Sequence, residues 1–176
     1  CYALHPLLTE HSILVGIIGL VPGTFHTIVV KQDGSVWSTG TSSNDDRKKF
    51  VQVIDNGATV AAVGNYFSIV LKDDCHLWAT GTSSKGQLFF FDARAENSEH
   101  SYSLVRMVPE ASTVTAGGYH SMVVTDSGRL WAAGWNKYGQ LGDGSAAYIS
   151  QLRSKFGQVM PSGAKAVAAG DIHSIV

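Results

Sequence analysis

The chain has 176 residues, 44% of them hydrophobic and 15% charged, with a formal net charge of −1. That apolar content suits a packed domain and not a disordered chain, and the charge leaves no basic stripe for direct nucleic-acid binding. Two cysteines, Cys1 and Cys75, are too few for a disulfide framework and favour a reducing compartment, cytoplasmic or nuclear.

The first element is the apolar run from Ile13 to Val21. It is too short to span a bilayer, and no Lys or Arg precedes it as a secretory leader requires. Residues 1–22 therefore read as the end of a preceding degenerate sheet, with a leader as the alternative, and no membrane association is expected. Next comes Gly23-Thr-Phe-His26-Thr27, leading to Val36-Trp37-Ser-Thr-Gly40. The phrase returns as Gly64-Asn-Tyr-Phe67-Ser68 with Leu77-Trp78-Ala-Thr-Gly81, and as Gly117-Gly-Tyr-His120-Ser121 with Leu130-Trp131-Ala-Ala-Gly134. A fourth copy opens at Gly170-Asp-Ile-His173-Ser174. Each Trp stands 14 residues after its first Gly. Repetition on this scale decides the architecture before any local motif does.

Within a copy the expected strands are short. Residues 27–31 are β-branched and apolar, Asp33-Gly34 makes a tight turn, and 35–40 return. A third strand is expected at 50–54 and a fourth at 59–63, ending on the next Gly. The third copy repeats the set at 121–125, 129–134, 156–160 and 165–169. Cys75 occupies the turn position held by Gly34 and Gly128, so it is expected at positive φ. After its Trp, the third copy continues Gly134-Trp-Asn-Lys-Tyr-Gly-Gln-Leu-Gly-Asp-Gly-Ser145. The second keeps Lys85-Gly-Gln-Leu88 and trails into Phe89-Phe90-Phe91; the first lacks the phrase and is shorter by about one such loop.

Four strands per repeat predict an all-β fold: a partial β-propeller of about three four-stranded blades plus the start of a fourth. The expected blades are 23–63, 64–116 and 117–169, with 170–176 opening the next. Gly23, His26, Trp37, Gly40, Gly64, Trp78, Gly81, Gly117, His120, Trp131, Gly134, Gly170 and His173 are then structural repeat positions, the tryptophans packing between blades.

These residues resemble the repeats of the regulator of chromosome condensation family, in which Gly-x-x-His-Ser/Thr precedes an apolar strand, an Asp-Gly turn, an aromatic and Gly-x-Asn-x-x-Gly-Gln-Leu-Gly. The third copy carries Gly117, His120, Ser121, Gly128, Trp131, Gly134, Asn136, Gly139, Gln140, Leu141 and Gly142 of that phrase. The resemblance implies a seven-bladed propeller, so the remaining blades are themselves expected partners and the chain reads as a fragment. It also implies two alternatives to a plain scaffold: guanine-nucleotide exchange on a small GTPase, or the recognition propeller of a larger ubiquitin ligase.

No chemistry stands apart from the repeat. His26, His120 and His173 fill one slot that accepts Phe67 in the second copy, and a metal ligand set would not accept Phe. The Gly-rich segment from Gly139 to Ser145 lacks the Lys-Ser/Thr of a phosphate loop. Ser121 beside His120 makes no triad, because neighbours on a strand point to opposite faces. No catalytic, metal or cofactor residues are therefore assigned, and the expected function is a non-catalytic protein-interaction scaffold. The candidate partner-binding loops are those holding Arg47, Lys48 and Lys49; Phe89, Phe90 and Phe91; and Trp135, Lys137 and Tyr138.

Overall fold

The computed structural model describes residues 16–42, 45–88, 103–145 and 152–176, with the side chains of 41–48, 103–107 and 152–156 outside that description. Every regular element among these residues is a β-strand. The first sheet holds β1 (Ile17–Pro22), β2 (His26–Lys31), β3 (Val36–Ser42) and β4 (Asp45–Ile54). The second holds β5 (Ala58–Val63), β6 (Phe67–Lys72), β7 (His76–Gly81) and β8 (Ser103–Met107). The third holds β9 (Ala111–Ala116), β10 (His120–Thr125), β11 (Leu130–Trp135) and β12 (Leu152–Met160). A two-stranded sheet, β13 (Ala168–Ala169) with β14 (Ser174–Ile175), follows. Neighbours in sequence are neighbours in each sheet, and all pair antiparallel. This is a partial β-propeller.

The sheets run one strand out of phase with the sequence repeat. The strand at 58–63, expected to close the blade 23–63, instead opens the second sheet by pairing with β6. The reason lies in the repeat glycine. Gly64 N–H donates to the Phe67 carbonyl at 2.9 Å, as Gly23 does to His26 at 2.8 Å, closing a hairpin across Gly-x-x-His. The motif is a hairpin tip, not a boundary. The sheets therefore span 17–54, 58–107 and 111–160, with 168–175 beginning another. By the same register, 17–22 is the first strand of the first sheet and not the end of an earlier one.

The segment 45–49 also departs from expectation. It forms the start of β4, paired with β3 from Gly40↔Arg47 to Ser42↔Asp45. Without the intervening loop, β3 and β4 stay paired out to Ser42↔Asp45.

The central strands are buried on both faces, which explains their unbroken apolar runs. Ile28, Val30, Val36 and Ile54 of the first sheet pack with Ala58 and Val70 of the second, and Trp78 covers that cluster. Phe67, Ile69, Leu71 and Leu77 pack with Val114, Val123 and Ala133 of the third sheet, covered by Trp131. Met122, Val124, Leu130 and Leu141 face Ala164 and Val167. Trp78 and Trp131 thus sit between sheets, as their slot predicts. The first sheet has one side that no other described sheet covers. Leu20 holds the register place of Ala61 and Val114, yet it is 60% exposed, with Ile18 at 61% on the same strand.

The turn expectation for Cys75 holds. Its φ is 61°, beside 75° at both Gly34 and Gly128. A second such slot was not visible in the sequence: Glu110 has φ 62° where the sister connections carry Gly57 at 78° and Gly163 at 93°.

Candidate protein-interaction face

The hairpin tips between the first and second strands, and the loops after the third strands, emerge at one end of the sheets. The tips form a hydrogen-bonded chain. Thr24 Oγ1 donates to Asn65 Oδ1 at 2.9 Å, Asn65 N–H to the Gly118 carbonyl at 3.2 Å, and Gly118 N–H to the Asp171 carbonyl at 3.1 Å. Asn65 Nδ2 also reaches Asp171 Oδ1 at 3.3 Å. The backbone approaches closely here: a Cβ on Gly118 would displace the Asp171 carboxylate and stand 3.0 Å from the Asp171 carbonyl oxygen.

Beneath this rim the repeat histidines bridge the seams between sheets. His26 Nε2 lies 2.6 Å from Ser68 Oγ, and His120 Nε2 lies 2.8 Å from Ser174 Oγ. Ser174 Oγ–H donates to the Gln140 carbonyl at 2.8 Å, which leaves its lone pair to accept from His120. The His120 proton is thereby assigned to Nε2, and the bare Nδ1 lies buried without a partner among the described residues. Burial pushes the His120 pKa down to about 4, with Asp171 pulling upward and His173 downward. Burial lowers His26 as well. In the second sheet Phe67 replaces the histidine, and Ser121 Oγ donates to the Gln87 carbonyl alone. The repeat Gly also explains itself: a Cβ on Gly117 would meet the His120 ring at 2.1 Å, and one on Gly64 the Phe67 ring at 2.0 Å.

The Gly-Gln-Leu-Gly loop of the third sheet is a self-satisfied turn. Asn136 Oδ1 accepts from Leu141 N–H at 3.0 Å, while its Nδ2 donates to Asp143 Oδ1 at 3.1 Å and to the Ser145 carbonyl at 2.6 Å. Asp143 Oδ1 also takes the Ser145 N–H at 2.9 Å, so this carboxylate holds the loop's shape. No cluster of metal-ligating groups occurs among the described residues.

What the tips and loops present outward is aromatic. Phe25 and Tyr66 stack at 4.7 Å with planes 17° apart, and are 42% and 48% exposed. Tyr119 meets Trp135 edge-on at 6.0 Å, and Trp135 meets Tyr138 edge-on at 5.4 Å. Lys137 Nζ stands 5.2 Å above the Tyr138 ring. Of the candidate loop residues, the structure brings Trp135, Lys137 and Tyr138 together. It places Arg47, Lys48 and Lys49 in β4, with Lys49 exposed; the side chains of Arg47 and Lys48, and all of Phe89, Phe90 and Phe91, lie outside the described residues. Sequence reasoning missed Phe25, Tyr66 and Tyr119. The signal was there: the second residue after each repeat Gly is Phe25, Tyr66, Tyr119 or Ile172, apolar at a hairpin tip in every copy.

Residues 111–140, which span β9 to the Gly-Gln-Leu loop, match the family described as Regulator of chromosome condensation (RCC1) repeat. The chain is a divergent, partial propeller of RCC1-like repeats. The Drosophila melanogaster protein Regulator of chromosome condensation is 35% identical over 72 residues, which are 41% of this chain and 13% of that protein. The crystal structure of Prp20p from Saccharomyces cerevisiae, described with its binding to Gsp1p and histones, has a TM-score of 0.68 at 17% identity. It covers 88% of this chain and 42% of its own. Human WBSCR16 gives 0.70 at 19%, over 90% and 43%. Yeast RCC1 (Prp20), in a crystal structure with Kap60 bound, gives 0.70 at 19%, over 90% and 40%. At these identities the structures share the fold. The RCC1-like chain thus spans less than half the length of these relatives.

Proposed function

We propose that this RCC1-like propeller is a non-catalytic scaffold that binds a protein through the face formed by its hairpin tips and Gly-Gln-Leu loop. The observation that carries the reading is the exposed aromatic set Phe25, Tyr66 and Tyr138, held in place by hydrogen-bonded turns on a rigid scaffold. Exposed aromatics on ordered turns supply contact area at low entropic cost. The solved relative Prp20p is described as binding Gsp1p and histones, which are proteins, and this supports the class of partner. That likeness also favours the second reading, a nucleotide-exchange module, in which the same face would contact a small GTPase. A cytoplasmic or nuclear location fits either role.

The test is affinity capture with the full-length protein. Tyr66→Ala together with Tyr138→Ala should remove partners that Lys165→Ala, a substitution of an exposed residue away from this face, retains. An unchanged set of captured proteins would reject this face as the binding surface. Acceleration of nucleotide release from a co-purified GTPase, abolished by the same pair, would select the exchange reading.

A further inference from the structure

Resting on the scaffold reading, we propose that the face recognises a cationic side chain, an arginine or lysine of the partner protein, held against the cluster of Tyr119, Trp135 and Tyr138 with the carboxylate of Asp171 at the same hairpin tip. Three observations lead there. First, Trp135 stands between two tyrosines whose planes are turned 83° and 78° from its own, so the three rings form walls and not a flat stack. Each ring carries a negative quadrupole on its face, to which a cation is drawn. Second, the chain's own Lys137 already rests on one of those faces, 5.2 Å above Tyr138, and both residues are exposed. A tethered ammonium there demonstrates what charge the ring accepts.

Third, Asp171 stands against the same hairpin tip. Its Oδ1 lies where a Cβ of Gly118, the residue before Tyr119, would be, and its backbone carbonyl takes the Gly118 N–H. The hydrogen bond that its carboxylate accepts comes from the neutral amide of Asn65. Its charge acts on His120, whose pKa burial nonetheless holds down to about 4. His120 is buried and uncharged at neutral pH, so it cannot neutralise the carboxylate. An exposed anion beside aromatic walls complements a guanidinium or ammonium, and disfavours an acidic partner segment. At the other end of the sheets the chain's own lysines take the ring faces: Lys31 and Lys72 cover Trp37 and Trp78 at 5.5 Å, each in its own repeat slot.

The experiment titrates the full-length protein with N-acetyl-arginine amide, and with N-acetyl-citrulline amide as the neutral isostere. It follows the Trp135 indole N–H resonance, assigned by its loss in Trp135→Phe. The arginine probe should shift it saturably and bind about tenfold tighter than citrulline. Asp171→Asn, which retains size and the backbone bond, should weaken the arginine probe several-fold and reduce its salt dependence. Lys137→Ala removes the resident cation and should strengthen binding by about threefold. Equal binding of the two probes, or weaker binding in Lys137→Ala, overturns the proposal. Partner capture separates the two levels. If Tyr138→Ala abolishes capture while neither probe discriminates, the scaffold reading stands and the cation chemistry falls. If arginine binds selectively but Tyr138→Ala leaves capture unchanged, the cation site stands and its use in partner binding falls.

Discussion

Cys75 and Glu110 occupy backbone conformations that cost a side chain about 1 kcal/mol or more. Both positions hold Gly in the sister turns at φ values of 75° to 93°. Their backbone bonds match the sisters too, with Cys75 N–H to the Lys72 carbonyl at 3.0 Å and Asp126 N–H to the Glu110 carbonyl at 2.8 Å. Cys75→Gly and Glu110→Gly should each stabilise the fold by up to about 1 kcal/mol, offset in part by the freedom Gly gains in the unfolded chain. Chemical denaturation midpoints check this, and a lower midpoint for either variant would reject strain as its main contribution. The opposite swap is far more costly at Gly134, where φ is 112° and a Cβ would sit 2.4 Å from the Tyr119 carbonyl oxygen. Gly134→Ala should prevent the third hairpin from closing and leave a protein with a reduced or lost cooperative transition.

At the scale of the strand and the seam, protonation sets a pH limit. The folded pKa of His120 is about 4 against an ordinary 6.5, so the folded state binds fewer protons than the unfolded one. Its contribution is therefore fully present above about pH 6.5 and is lost as pH falls toward 4, a change of about 3 kcal/mol at most. His120→Gln should flatten the stability profile across that window in pH-dependent melting. Unchanged curvature would mean that the acid transition belongs to other groups. The seams also show how the sequence can be read. The 14-residue spacing from Gly to Trp, the Asp33-Gly34 turn and the β-branched runs located every strand of the third copy, because hairpins are local. Which strand shares a sheet with which is a circular question in a repeat, and Gly-x-x-His looks the same as a boundary or as a tip. The pairing of β5 with β6 across the Gly64-to-Phe67 hydrogen bond decides it. Likewise, Trp135, Lys137 and Tyr138 stood out as loop residues. Tyr119 was absorbed into the repeat slot although it packs against Trp135, a contact that depends on loop geometry and leaves no mark in spacing.

For the molecule as a whole, the uncovered side of the first sheet governs behaviour in solution. Leu20 is apolar and 60% exposed on a side where its equivalents Ala61 and Val114 are covered, and Ile18 on the same strand is 61% exposed. Exposed apolar surface of this sort drives association. The 176-residue chain alone should form oligomers or precipitate, and Leu20→Lys with Ile18→Lys should shift it toward monomer in light scattering. A wild-type monomer that stays dispersed at high concentration would show that this side tolerates water as it is. The face with the aromatic tips lies at the end of the sheets and not on this side, so the two predictions can be tested independently.

The serines at the seams lend the molecule a form of conditional robustness. Ser68 is anchored by His26, Ser121 by the Gln87 carbonyl, and Ser174 by both His120 and the Gln140 carbonyl. The first repeat has lost its Gly-Gln-Leu loop and the second its histidine, yet no seam has lost both anchors. A buried hydroxyl with no partner costs about 1–3 kcal/mol, whereas removing one of two anchors costs less. The same substitution should therefore weigh differently by address: His26→Phe, which orphans Ser68, should destabilise more than His120→Phe, which leaves Ser174 its carbonyl. Drift in one repeat is tolerated only while its neighbour keeps the spare, so the permissible histories of adjacent repeats are tied to each other.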